Sequence, residues 1–189
     1  MTLIMLQPPQ AEPVTLVDMK AWLRDDNSDE DGLITALITS ARLALETITA
    51  KAFITQTLRV QLDAWPDGSF IALPVAPLQS VQAIGVTMAD GTSLPLVPSS
   101  FIADNAGASQ PRLLMPLNLV KPGIGLGGIT IDFIAGYGAD GTFVPEPLKL
   151  ALKLLVAFWF ENRADDPAAA SHWPDEIARL AAPYRVRRL

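Results

Sequence analysis

Between Pro145 and Asn162 the sequence PEPLKLALKLLVAFWFEN is apolar at nearly every angle around a helix axis. Pro145 and Pro147 suit a first helical turn, and Glu146 complements the positive end of the helix dipole. Leu148, Leu152, Leu155 and Trp159 form one stripe, but Leu150, Leu154, Val156, Phe158 and Phe160 cover much of the remaining circumference. A helix of this kind needs cover on more than one side. The rest of the chain must supply it.

The stretch from Pro13 to Thr57 is the candidate cover, and it reads as two helices folded back on each other. Thr15 is placed to cap the first, with Asp18 three residues on to reach back to the cap's own N–H as in a capping box. Val14 and Met19 bracket that start, Leu16, Met19, Ala21, Trp22 and Leu23 supply a short apolar face, and Arg24 falls in the last turn. Ser28 or Asp29 then caps a second, longer helix over Leu33 to Ala50. Its apolar positions are Leu33, Leu37, Ala41, Ala44 or Leu45, and Ile48, with Ile34 and Ile38 beside them. Thr35, Thr39, Arg42, Glu46 and Thr49 fall largely on the opposite side.

Between these helical regions the period changes from helical to alternating. Leu58, Val60 and Leu62 alternate with Arg59, Gln61 and Asp63, the pattern of a half-buried strand, and Trp65 to Ser69 is a turn from which Phe70 to Leu73 returns. Pro74 and Pro77 keep the next segment extended without allowing a central strand. Val81 to Met88 resumes strand character, and Asp90-Gly91 turns it into a hairpin with Leu94 to Val97. Phe101 to Ala103 and Arg112 to Met115 are short candidates around a polar loop at 104–111, and Ile129 to Ala135 is the clearest late strand. Pro174 to Ala182 reads as a short final helix stopped by Pro183. The expected fold is α+β: a helical bundle of the N-terminal helix pair and the C-terminal helices, with an inserted small antiparallel β module. In a single domain spanning 1–189, the helices occupy 13–56, the β module 57–138, the C-terminal helices 145–182 and a tail 183–189.

Chemistry is sparse in this sequence. The absence of cysteine removes disulfides, thiolate metal sites and cysteine nucleophiles, and a single histidine, His172, excludes a multi-histidine metal site. His172 has no Ser or Cys partner in a motif context and reads as a surface or capping residue. The glycine run at 123–128 precedes a strand, whereas a dinucleotide fingerprint follows a strand and opens a helix. It reads as a flexible connecting loop. No catalytic residue, cofactor site or metal site is expected. Met1 to Leu6 is apolar but far shorter than the roughly 20 residues of a spanning helix, so a soluble product without a membrane role is expected.

Charge is unevenly distributed. The formal net charge is -6, which argues against general DNA affinity because counterion release needs Lys and Arg against phosphate. The first fifty residues carry eight acids and three bases, whereas Arg179 to Leu189 carry four arginines and no acid. Opposite charge at the two ends favours contact between subunits or with different partners. The turn Asp25, Asp26, Asn27, Ser28, Asp29, Glu30, Asp31 holds five of the acids. It lacks the glycine and the bidentate glutamate of a calcium loop, and is either an ordinary solvated turn or a surface that repels phosphate. The tail Tyr184, Arg185, Val186, Arg187, Arg188, Leu189 is either an interface segment, given residue types that interfaces favour, or a frayed basic terminus.

Taken in order, PVTLVDMKAWLRDDNSDEDGLITALITSARLALETITAKAF, the LPVAPLQSV approach to a strand, the DGTS hairpin, the strand ending in GYG and VPEPLKLALKLLVAFWFENR resemble the head-tail connector, or adaptor, family of long-tailed bacteriophages and gene transfer agents. The resemblance covers most of residues 13 to 163 and rests on helix and turn patterns. It implies a structural virion protein, not an enzyme, found in the particle neck and in the host cytoplasm during assembly. It implies a ring, dodecameric in the particle and monomeric when isolated, beneath the portal protein. Such a ring extends the DNA channel, passes DNA without specific binding, and docks the next head-completion or tail protein. By position alone, the resemblance makes Tyr184 to Leu189 the candidate portal contact. It makes Asp25, Asp26, Asp29, Glu30 and Asp31 candidates for the channel lining. A tail-completion or DNA-packaging accessory protein is the alternative within the same particle, and a small enzyme or ligand-binding domain the alternative outside it.

Overall fold

The computed structural model describes residues 1–104, 110–162 and 173–186. The chain divides into two compact units. One comprises Met1–Pro9 with Thr55–Gly136, and the other comprises Gln10–Ile54 with Tyr137–Leu189.

The first unit is built on a five-stranded antiparallel sheet of β1 (Thr2–Gln7), β2 (Gln56–Leu62), β4 (Leu78–Thr87), β5 (Ser93–Leu96) and β8 (Ile129–Ala135), in the order β1-β2-β8-β4-β5. Alternation decides which face is inward. Leu58 and Val60 of β2, Ile84 and Val86 of β4, and Ile129, Ile131 and Phe133 of β8 are all buried. On the outward face, Arg59 and Asp132 are direct cross-strand partners and form a two-bond ion pair at 2.6 and 2.7 Å. A second sheet holds β3 (Phe70–Ala72), β7 (Arg112–Leu114) and β6 (Ile102–Asp104), in the order β3-β7-β6. Ile71 and Leu113, paired across it, are buried.

The β portion is therefore larger than an inserted small module. It begins with β1, an apolar run whose pairing with β2 no alternation announces. The strand at Phe70 pairs not with the strand it follows but with β7. The glycine run also differs from the flexible connection expected. Gly123 N–H donates to Thr87 C=O at 2.8 Å, Thr87 N–H donates to Gly128 C=O at 2.8 Å, and Gly127 N–H donates to the Asp63 carboxylate at 2.7 Å. A Cβ on Gly123 would lie 2.0 Å from the Ala89 nitrogen, so close backbone approach requires glycine there.

In the second unit, α1 (Leu16–Leu23), α2 (Asp31–Thr49), α3 (Glu146–Glu161) and α4 (Asp175–Ala181) share one core. From α2 come Ile34, Ile38, Ala41 and Leu45, from α3 Leu148, Ala151, Leu152, Leu155 and Val156, and from α4 Ile177 and Ala181. The α2 stripe is rotated from the one expected, because Leu33 is exposed and Ile34 is fully buried. Two caps differ in detail. The Asp18 carboxylate accepts from the Thr15 hydroxyl at 2.7 Å rather than from the cap's backbone N–H, while Thr15 Oγ1 accepts Asp18 N–H at 3.1 Å. Asn27, not Ser28 or Asp29, caps the 3-10 turn Ser28–Glu30 that leads into α2. By length and composition that turn and α2 are apolar enough to cross a membrane, but their core-facing side chains are packed within this unit.

Candidate functional site

The acidic turn is shaped by its own charges. Asp25 Oδ1 accepts Asn27 N–H at 2.9 Å, and Asn27 Oδ1 accepts Asp29 N–H at 3.0 Å. Lys20, from α1, donates both to the Asn27 carbonyl at 3.0 Å and to the Asp31 carboxylate. Asp31 is thus neutralised by an ion pair, and Asp25, Glu30 and Asp31 are half-buried. Asp26 and Asp29 are exposed. Of the five acids singled out in the sequence, these two present most charge to solvent.

The C-terminal segment divides as well. Tyr184 closes a 3-10 turn, Ala182–Tyr184, and packs against the helical core, so it is a structural residue as well as a candidate contact. Tyr137 packs on the same core, and its hydroxyl is pushed up to about 12 by burial and then by the nearby Tyr184. Arg185 is exposed and Val186 half-buried. Arg187, Arg188 and Leu189 lie outside the described residues, as does His172.

A buried ion network is the feature that the sequence reading placed wrongly. Arg42, expected on the outer side of α2, is only 4% exposed. Its Nε donates to Glu12 Oε2 at 2.7 Å, Nη2 to Glu12 Oε1 at 3.3 Å and Nη1 to Glu46 Oε2 at 3.0 Å. The other Glu46 oxygen accepts Phe53 N–H at 2.7 Å. Burial is the largest influence on both members. It raises the Glu46 carboxyl above its ordinary value, and it opposes the carboxylate contacts that nevertheless leave Arg42 raised. The arrangement fastens the segment before α1 and the turn after α2 to α2 itself. One signal for it was available, because Glu46 stands four residues after Arg42, at ion-pair spacing on a helix.

The helical unit carries an open groove of about 890 Å³. Pro13, Val14, Trp22 and Leu150 give it apolar walls, and Lys153 lies 5.5 Å from the Trp22 ring centre. Its hydroxyls are committed to local turns: Thr15 donates to Asp18, Thr35 to the Asp31 carbonyl and Thr142 to Asp140. The Thr142 hydroxyl and N–H hold the Asp140 carboxyl below its ordinary value, so it is an acceptor rather than a proton donor. No nucleophile stands beside a base here, and no group of three metal-ligating side chains occurs among the described residues.

No protein-family model matches the chain, and no curated protein matches it. Solved structures do. The chain is similar to one in the virion of a native gene transfer agent particle, at 29% identity with a TM-score of 0.82. It is similar to one in the neck of an empty gene transfer agent particle computed with C6 symmetry, at 30% identity and 0.83. A third is in the neck of a native particle computed with C12 symmetry, at 28% identity and 0.75. Each match covers 100% of this chain and 97% of the other.

Proposed function

We propose, from the premise that this chain belongs to the neck proteins of gene transfer agent particles, that it is the head-tail adaptor of such a particle. The observation that carries this reading is the likeness to a neck chain over essentially the whole of both chains, at 30% identity and a TM-score of 0.83. The protein is a structural component of the particle neck and not an enzyme. In the particle it forms a ring, in keeping with necks computed with C6 and C12 symmetry.

In this reading the ring has twelve copies, assembles from monomers in the host cytoplasm, sits beneath the portal protein and extends its DNA channel. Its far side receives the next head-completion or tail protein. Arg185 to Leu189 engage the portal, and Tyr184 anchors that segment to the helical core. The acidic turn faces the channel, where Asp26 and Asp29 lower phosphate affinity by like-charge repulsion.

Electron microscopy of purified particles, with this subunit located against the portal, tests the assignment directly. Density for the subunit at the tail tip or within the capsid shell would refute it. Deleting Arg185 to Leu189 tests the portal contact: circular dichroism should be unchanged while recruitment to DNA-filled heads is lost. Normal recruitment of the folded, truncated protein would remove the tail from the interface.

A further inference from the structure

Among the described residues, the five-stranded sheet ends in two edge strands, β1 and β5, separated by four strand spacings or roughly 19 Å. All six residues of β1 are exposed, and Leu3, Ile4, Met5 and Leu6 are between 37% and 46% exposed. A long apolar edge strand of this kind invites pairing or aggregation unless something covers it. At the opposite edge, Leu94 of β5 is 38% exposed and Val97, the residue after β5, 66%. Neither 1–9 nor 93–97 contains a single charged side chain, in a protein with a net charge of -6. Depletion of charge is the compositional mark of an interface core.

The two edges are not equivalent. Met88 N–H donates to Thr92 C=O at 2.8 Å, which makes that pair a hydrogen-bonded one. Stepping along the register, Val86 with Leu94 and Ile84 with Leu96 are hydrogen-bonded pairs, and Gly85 with Pro95 is not. Pro95 therefore turns its ring to the free edge, where it removes an outward N–H and blocks a continuous ladder. Contact at this edge is made chiefly by side chains. Two different apolar strips on opposite edges of one sheet are what a head-to-tail interface needs, and such an interface closes into a ring when the rotation allows. A two-fold interface would need one strip matched to itself.

We infer that the β1 strip of one copy packs against the β5 edge, Leu94 with Val97, of the next copy around the ring. This rests on the ring reading above and names the surface that makes it. The occupant is a second copy, because the similar neck chains stand in assemblies of six- and twelve-fold symmetry and each uncharged strip matches the other better than a charged partner surface.

The chain has no cysteine, so engineered thiols report without background. Leu3→Cys and Val97→Cys are placed in one chain, incorporated into particles and joined with a short bismaleimide. Met5→Cys with Leu94→Cys serves as a second pair. The expected result is a ladder of covalent multimers on a denaturing gel from a paired variant, and no multimers from any single variant. A symmetric ring visible by microscopy without a ladder from either pair would overturn the edge contact and leave the ring standing. Absence of any ring would overturn both, and dimers from Leu3→Cys alone would replace the head-to-tail contact with a two-fold one. Met5→Lys and Val97→Lys should each lower incorporation more than tenfold while circular dichroism stays unchanged. Val17→Lys, at a residue 76% exposed on α1, should leave incorporation unaltered.

Discussion

Replacing Arg42 by alanine removes the cation on which Glu12 and Glu46 converge, and leaves Glu46 buried against the Phe53 N–H without that guanidinium. Breaking a buried, hydrogen-bonded pair from one side costs about 3–5 kcal/mol, because the remaining charge stays desolvated. For a chain of this length that lowers Tm by roughly 6–20 °C, at about 2–4 °C for each kcal/mol. The deficit should depend on pH. Burial already raises the Glu46 carboxyl above 4.5, and Arg42 is among the groups that oppose the rise, so the substitution raises it further. A carboxyl raised in the folded state stabilises the fold below its unfolded value, and that contribution is lost as pH rises through the folded value. The Arg42→Ala deficit should therefore be larger at neutral pH than at mildly acidic pH, because acidification returns the proton to the raised Glu46 carboxyl. Urea denaturation followed by circular dichroism at both pH values measures it. Adding Glu46→Gln, whose amide oxygen still accepts Phe53 N–H, should restore part of the loss at neutral pH. A deficit below about 1 kcal/mol, the range of exposed pairs, or one equal at both pH values would refute the reasoning.

Gly123→Ala should destabilise the protein by about 1–3 kcal/mol or more, since its Cβ meets the Ala89 backbone rather than a movable side chain; wild-type stability in a denaturant titration would contradict that packing. Of the two tyrosines, Tyr137 should ionise at about 12 in a phenolate absorbance titration, and Tyr137→Phe should abolish that step. Because its raised value favours the folded state, the stability it contributes is complete below pH 10.0 and disappears as pH rises through about 12. Asp26→Lys with Asp29→Lys should slow DNA release from particles at low salt and not at high salt, and release kinetics indifferent to salt would remove these residues from the channel wall.

Elements that carry their own period were legible in the sequence. The strand at Ile129 to Ala135 alternates and is found with those bounds, and the hairpin at Asp90-Gly91 forms with β5 beginning at Ser93. The start of α3 was legible because Pro145, Glu146 and Pro147 act locally. Elements decided by distant partners were not. β1 has apolar residues at successive positions because both of its faces are exposed, so burial imposes no alternation, and only its register with β2 makes it a strand. The three residues of β3 are too few for a period, and their sheet is chosen by β7, about forty positions away.

The same division applies to charge, and it bears on function. The density of carboxylates between Asp25 and Asp31 is plain in the sequence, but how much of it faces outward is not, because that depends on where Lys20 lands. Arg42 looked outward by period and is inward by pairing, since one arginine shared by two glutamates is tolerated in a core that would reject it alone. Such pairing leaves fewer charges for partners than composition implies. In the helical unit, Lys20, Asp31, Arg42 and Glu46 are committed internally, and Asp26 and Asp29 stay exposed on the acidic turn. The uncharged β1 and β5 edges stand apart from this economy of pairs. In the proposed ring, apolar edges would join the copies while Asp26 and Asp29 would stay available to repel DNA, because neither proposed task draws on the residues of the other.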